Sequence, residues 1–205
     1  EVTRTVNVVS AAEYAVYNAL RNLTFNTSGA TAGVLGCHWD ATGAIEIPAT
    51  YQGKPITSIG AYAFLNCSSL TSVTIPNSVT SIVEGAFIGC TSLTSVTIPN
   101  RVTSIESKAF YGCTSLTSIN IPDSVTSIGG SAFLYCTSLT SVTIPNSVTS
   151  IGRYAFYGTS LSRVTIPNSV TSIGRYAFAS CTSLTSVTFE GNAPTLSEGV
   201  FSETR

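Results

Sequence analysis

A chain of 205 residues with 43% hydrophobic content is long enough for a sizeable core, yet only 9% of it is charged, against roughly 25% in most soluble domains. Ser, Thr and Asn must cover its surface, and a net charge of −1 gives no ground for binding nucleic acid or an anionic membrane, which need clustered Lys and Arg. No apolar run reaches the roughly 18 residues of a membrane-spanning helix, so this segment is not expected to insert.

The first 44 residues read as an N-terminal cap. Val2 to Val9 alternates as a strand does, and Ser10 with Glu13 forms a capping box ahead of a helix. Ala12, Ala15, Val16, Ala19, Leu20 and Leu23 give that helix one apolar stripe to lay over the open end of a core. Gly29, Gly33, Gly36 and Gly43 make residues 24–44 read as a loop-rich entry. His38, the single histidine, stands beside Cys37 and Asp40 in the loop GCHWD, next to a tryptophan expected to be buried in the cap. Neighbours in the chain cannot easily aim at one reacting atom, so this is not read as a nucleophile and its base. The chain opens at Glu1 without methionine or a signal-like apolar region, which fits a mature or trimmed segment. Sequons at Asn22, Asn26 and Asn66 carry little weight in a chain this rich in Ser and Thr.

From residue 45 to the end the chain repeats itself. Phe64, Phe87, Phe110, Phe133, Phe156, Phe178 and Phe201 recur every 23 residues, once every 22. Leu70, Leu93, Leu116, Leu139, Leu161 and Leu184 keep the same beat, as do Ile75, Ile98, Ile121, Ile144, Ile166 and Phe189. Leu70, Val73 and Ile75 space their side chains onto one face of a short strand, and Pro76 ends its ladder. Val79 and Ile82 predict a second short extended piece, and Ala86-Phe87 a turn or short helix. One such coil cannot bury its apolar face alone, so the repeat predicts a solenoid: about seven 22–23-residue coils with short parallel strands, occupying residues 45–205 and ending in a closing coil.

Chemistry is scarce along this array. Glu84, Glu106, Asp123, Glu190 and Glu198 occupy different repeat positions and cannot stack into a carboxylate pair. The glycines of S-I-G-x-x-A-F recur as turn residues and not as a phosphate loop. Cys67, Cys90, Cys113, Cys136 and Cys181 share one position, with Cys37 apart. Stacked identical side chains point in parallel, which favours a ladder of small buried thiols over disulfides, and zinc would want C-x-x-C pairs. No enzyme activity, cofactor or metal is expected. The coil YAFYGTSLSRVTIP lacks its cysteine between Gly158 and Thr159, which reads as slack in a turn and leaves Arg163 as a fixed cation in a Ser/Thr row.

The unit L-x-x-V-x-I-P-x-x-V-x-x-I-G-x-x-A-F-x-x-C resembles the treponemal-type, or BspA-like, leucine-rich repeats, over residues 45–201. IPATYQGKPITSIG is similar to the lengthened first turn of such arrays, and VTFEGNAPTL to their close. The resemblance implies an extracellular or cell-surface, secreted protein-binding or adhesion module, its ligand a host-matrix or partner-cell surface protein. A passive spacer or stalk is the alternative, and ice or lattice binding by the hydroxyl rows a lesser one. Leucine-rich repeats usually offer a concave, continuous sheet, which puts Ser72, Thr74, Asn120 and Arg163 on the binding face. Most aromatic and charged variety falls instead at the turns, making Tyr111, Arg153, Tyr154, Tyr157, Arg175 and Tyr176 a second candidate surface.

Overall fold

The computed structural model describes residues 20–27 and 29–204. The strand expected at Val2–Val9 and most of the helix expected from Ser10 lie outside the described residues; residues 20–22 are helical. Leu23 does not continue that helix but opens strand β1 (Leu23–Asn26), which pairs antiparallel with β2 (Ala32–Cys37). The stretch expected to be loop-rich therefore holds β1, β2 and β3 (Gly43–Glu46). Two of its glycines serve close approach, since a Cβ at Gly33 would lie 2.5 Å from the Ser58 hydroxyl and one at Gly36 3.1 Å from that of Thr24, while Gly29 and Gly43 take positive φ in open space. β2 pairs parallel with β5 (Lys54–Ile59), so this segment starts the solenoid's own sheet. β4 (Thr50–Tyr51) folds back on β5, and Tyr51 stacks on Phe25 at 4.3 Å.

Each coil then lays down one strand on a front face and one on a back face. The front sheet runs β3, β6 (Leu70–Thr74), β8 (Ser95–Thr97), β10 (Ser118–Asn120) and β12 (Ser141–Thr143), all parallel. On the back face β7 (Ser81–Ile82) pairs with β5, while β9 (Ser104–Ile105), β11 (Ser127–Ile128), β13 (Ser150–Ile151), β15 (Ser172–Ile173) and β17 (Thr195–Leu196) form a second parallel ladder. The third edge is a row of turns whose Phe amides donate to the Ala carbonyl of the next coil, as in Phe133 to Ala155 at 2.7 Å and Phe156 to Ala177 at 2.7 Å. Between the three edges the phenylalanine rings from Phe64 to Phe178 are fully buried and stack in a column, with centroids 4.8 Å apart at Phe64–Phe87 and 5.4 Å at Phe110–Phe133.

Both faces have a break, and each break has a cause in the chain. On the back, β7 and β9 are not laddered, and the Glu106 amide makes no bond of the kind that Gly129 makes to Ile105 at 2.7 Å and Gly152 to Ile128 at 2.7 Å. A Cβ at Gly152 would sit 2.5 Å from the backbone of Gly130. Val83 and Glu106 belong to successive coils in which this glycine is replaced, so the break falls where both neighbours carry a Cβ; Val83 over Gly60 and Ser197 over Gly174 keep their bonds to Ile59 and Ile173, each at 3.0 Å.

On the front, the sheet ends at β12, and β14 (Arg163–Ile166) pairs only with β16 (Ser186–Phe189). The expected continuous sheet is thus split beside the short coil. The shortening also lies elsewhere than at the cysteine: the Thr159 amide donates to Phe156 O at 3.3 Å, the bond that Cys136 makes to Phe133 in its own coil. Thr159 is buried in the thiol column, donating its hydroxyl to Phe156 O at 2.9 Å and touching Cys181 Sγ at 3.2 Å. The missing residue falls between Thr159 and Leu161, on the path into β14. The column is bridged there by a hydroxyl instead of interrupted.

The described cysteines are free thiols, and those of the column are fully buried. Cys90, Cys113, Cys136 and Cys181 each donate to the phenylalanine carbonyl of the preceding coil, as Cys90 to Phe64 at 3.1 Å and Cys136 to Phe110 at 3.1 Å. Cys37 is not apart: it lies against Cys67, both thiols reaching His38 O, at 3.5 and 3.6 Å.

The altered spacing also orphans one hydroxyl. Ser124 and Ser147 each donate to a valine carbonyl of the preceding coil at 2.6 Å, whereas the buried hydroxyl of Ser169, one coil on, has no hydrogen-bond partner. Ser147→Ala is expected to cost about 1 kcal/mol and Ser169→Ala to be neutral or stabilising, because only the first removes a made bond. Denaturant titration of the two variants checks this, and equal losses would contradict the assignment.

Candidate functional site

The two candidate surfaces fare differently. Ser72 in β6, Thr74, Asn120 in β10 and Arg163 at the start of β14 lie strung along the front sheets, one per coil or so. They are not gathered: Asn120 stands beside Thr97, and Arg163 pairs in register with Ser186. The flat row of small hydroxyls offers few anchors to a partner.

The turn edge does gather its residues. Tyr154 stacks on Tyr176 at 5.3 Å and meets Tyr157 edge-on at 5.5 Å. Tyr135 stands edge-on to Tyr157 at 5.7 Å and to Tyr111 at 6.1 Å. Arg153 lies 4.7 Å over the Tyr154 ring and Arg175 4.8 Å over that of Tyr176, each also donating to the phenol oxygen. Arg175 pairs with Glu198 at 2.9 Å. The rings of Tyr135, Tyr154, Tyr157 and Tyr176 line a groove of about 430 Å³, closed by Leu134, Ser202 and Glu203.

The backbone under this groove is unusual. Tyr135, Tyr154 and Tyr176 have φ of 60°, 58° and 59°, the left-handed region that costs a side chain about 1 kcal/mol. Every sister coil keeps these two positions left-handed, with Gly89, Gly112 and Gly158 but also Asn66, Ser180 and Glu203 at the position of Tyr135, and Gly85 and Gly199 but also Tyr62, Lys108 and Ser131 at that of Tyr154 and Tyr176. The left-handed turn is what throws the ring outward along the edge.

Nothing in the repeat singles out Leu134, Ser202 and Glu203, and Tyr135 does not stand out there from the other turn tyrosines. Tyr135 sits two residues after its phenylalanine whereas Tyr111 and Tyr157 sit one after, so the contact is offset by a position and periodicity hides it. Ser202 and Glu203 lie in the closing coil, where Glu203 accepts a 2.6 Å bond from Ser180.

The GCHWD loop is surface structure. Trp39 is 73% exposed, contrary to the buried ring expected, and lies against the His38 ring at 5.9 Å. His38 Nδ1 pairs with the exposed Asp40 carboxylate. In the same loop the His38 carbonyl takes the thiols of Cys37 and Cys67, and Ala41 is the residue that is buried. Burial holds the thiols of Cys90, Cys113 and Cys136 well above the ordinary thiol range and raises that of Cys181, so they stay protonated and poorly nucleophilic near neutrality. Among the described residues no cluster of His, Cys, Asp and Glu could hold a metal ion, and no helix is long and apolar enough to cross a membrane.

These features have counterparts in known proteins. The model of the BspA-type leucine-rich repeat region, in six copies, matches residues 57–159 and 103–205. A leucine-rich repeat protein of T. pallidum is 31% identical, with 85% of this chain and 81% of that chain covered and a TM-score of 0.77. A leucine-rich cell surface protein of Faecalibacterium prausnitzii is 34% identical, covering 83% of this chain and 54% of that one at a TM-score of 0.65. The pneumococcal vaccine antigen PcpA is 26% identical, with 82% and 48% covered and a TM-score of 0.66. This chain spans about half the length of the last two. No curated protein sequence matches it. With its period, its phenylalanine column and its matched regions together, the chain belongs to the BspA-type leucine-rich repeat family.

Proposed function

We propose that this chain is a non-catalytic protein-binding module of a cell-surface or secreted protein, and that its partner docks on the tyrosine groove of the turn edge. The single observation that carries the reading is that Tyr135, Tyr154, Tyr157 and Tyr176, drawn from successive coils, line one groove, with Arg153 and Arg175 lying over two of the rings. Tyrosine rings with flanking arginines are also the commonest anchors of protein interfaces. The likeness to a leucine-rich cell surface protein supports the location, and the protonated thiols and solvent-facing His38 support the absence of catalysis.

The test is a variant with Tyr135→Gly, Tyr154→Gly and Tyr176→Gly. Relief of the left-handed strain offsets ring contacts of about 0.5–1.5 kcal/mol each, so its stability is expected to stay close to that of the parent. Saturable binding to immobilised matrix proteins or whole partner cells is expected for the parent and lost in the variant. Unchanged binding by the variant, as a passive spacer predicts, would overturn the reading, as would a parent that binds none of the panel.

A further inference from the structure

The break in the front sheet opens a second site, on the opposite kind of surface. Between β12 and β14 lies a cleft of about 590 Å³ whose walls include Ser141, Thr143 and Thr165. Val142 at its floor is half-buried, whereas Val73, Val96, Ile119 and Val164 at the same strand position are buried. Arg163 lines the cleft at the N-terminal end of β14, and Asp123 and Glu190 line it at the other end. All three are exposed, and none has an ion-pair partner among the described residues.

The charges are therefore ordered along the strand direction. Arg163 stands opposite Ser186, and the Glu190 amide donates to Ile166 O at 3.0 Å, which places the acids about four residues beyond the arginine. At ~3.3 Å per residue that is ~13 Å of extended chain. A polyanion would meet two carboxylates and a polycation the guanidinium, so neither suits the cleft. We infer that this cleft binds an extended peptide segment of a partner protein that carries one acidic and one basic side chain about four residues apart, the acid over Arg163 and the base between Asp123 and Glu190. Hydroxyls of Ser141, Thr143 and Thr165 are placed to hydrogen-bond the chain between them. The inference rests on the reading of this chain as a protein-binding module but not on the tyrosine groove.

The cleft owes its existence to the short coil, and that gives the test. A random heptapeptide library is panned on the whole immobilised chain, on Arg163→Ser, which restores the residue of the sister coils, and on a variant with one threonine inserted after Thr159, which restores the 23-residue spacing. Peptides with an acid and a base about four positions apart are expected to be enriched on the parent. A synthetic peptide of that pattern should bind Arg163→Ser about threefold to fivefold more weakly, the worth of one exposed ion pair, and the loss should shrink at high salt. The insertion should rejoin β12 to β14 and remove the enrichment. Circular dichroism verifies that both variants fold. Enriched peptides without the charge pair, no enrichment, or enrichment unchanged in both variants would each overturn the inference. The tyrosine-to-glycine variant is expected to keep the peptide selection, so failure at the groove and failure at the cleft are told apart.

Discussion

Phe133→Ala is expected to lower the stability of the chain by about 3–5 kcal/mol, which for a protein of this length is a fall in Tm of roughly 6–20 °C. Its ring is fully buried between Phe110 at 5.4 Å and Phe156 at 5.1 Å, nearly parallel to both. Removing it leaves a void in the column that neither neighbour can fill, since each is held by its own coil's backbone bonds. In a solenoid stability is close to a nearest-neighbour sum, so the defect weakens two interfaces at once. Phe201→Ala is the control. That ring is half-buried and has one stacking neighbour in the column, Phe178 at 5.7 Å, so its loss is expected to be less than half as large. Denaturant unfolding followed by circular dichroism compares the two, and equal losses would contradict a column whose energy is shared between neighbours.

The second large effect is a loss of stability in alkali. The thiols of Cys90, Cys113, Cys136 and Cys181 are raised above the ordinary value of 9.0 chiefly by burial, Cys136 to about 12. Unfolded, these thiols lose their protons as pH passes about 9; folded, they keep them. Above that point the unfolded state binds fewer protons, so the slope of unfolding free energy with pH is negative. The stabilisation is fully present below pH 9 and is lost as pH rises toward and through the folded values. Each thiol contributes about 1.4 kcal/mol per pH unit between 9 and its folded value, so Cys90, Cys113 and Cys136 together reach about 4 kcal/mol at pH 10, and Cys181 adds in the same direction. A Tm that is level from pH 7 to 8.5 and falls steeply by pH 10.5 is expected. Replacing the four cysteines by alanine should lower the plateau and flatten the fall; a variant that keeps the parent's steep fall would show that other groups carry it. Cys37 and Cys67 are left in place because their mutual contact shifts them in opposite directions.

Legibility differed by kind of feature. The phenylalanine, leucine and isoleucine rows named the buried column almost residue by residue, because identical coils must stack identical side chains. The shared cysteine position foretold buried thiols for the same reason. The tyrosine groove was legible as a list and not as a place: Tyr154 and Tyr176 stack because they share a repeat position, but Tyr135 joins them through a one-position offset and a left-handed turn. The GCHWD loop misled in one respect, since an aromatic beside a histidine and a cysteine suggests a core while it is Ala41 and the thiol of Cys67 that are buried there and Trp39 that faces out. Residues 24–44 misled in another, since Gly33 and Gly36 mark strands packed closely on Ser58 and Thr24, and only Gly29 and Gly43 are the turn glycines a loop suggests.

The sequence by itself determined the period, the coil, the core rows and the family, all of which follow from packing each coil against a near copy of itself. Tertiary structure decided what happens where the copies differ. One missing residue can be absorbed at any of three edges, and in this chain the turn and back ladders keep their bonds from Phe156 to Ala177 and from Gly174 to Ile151. The slack then falls on the front sheet, which parts beside Arg163. That outcome depends on which hydrogen bonds survive in three dimensions, with Thr159 standing in for a cysteine, and a one-dimensional pattern holds no measure of it.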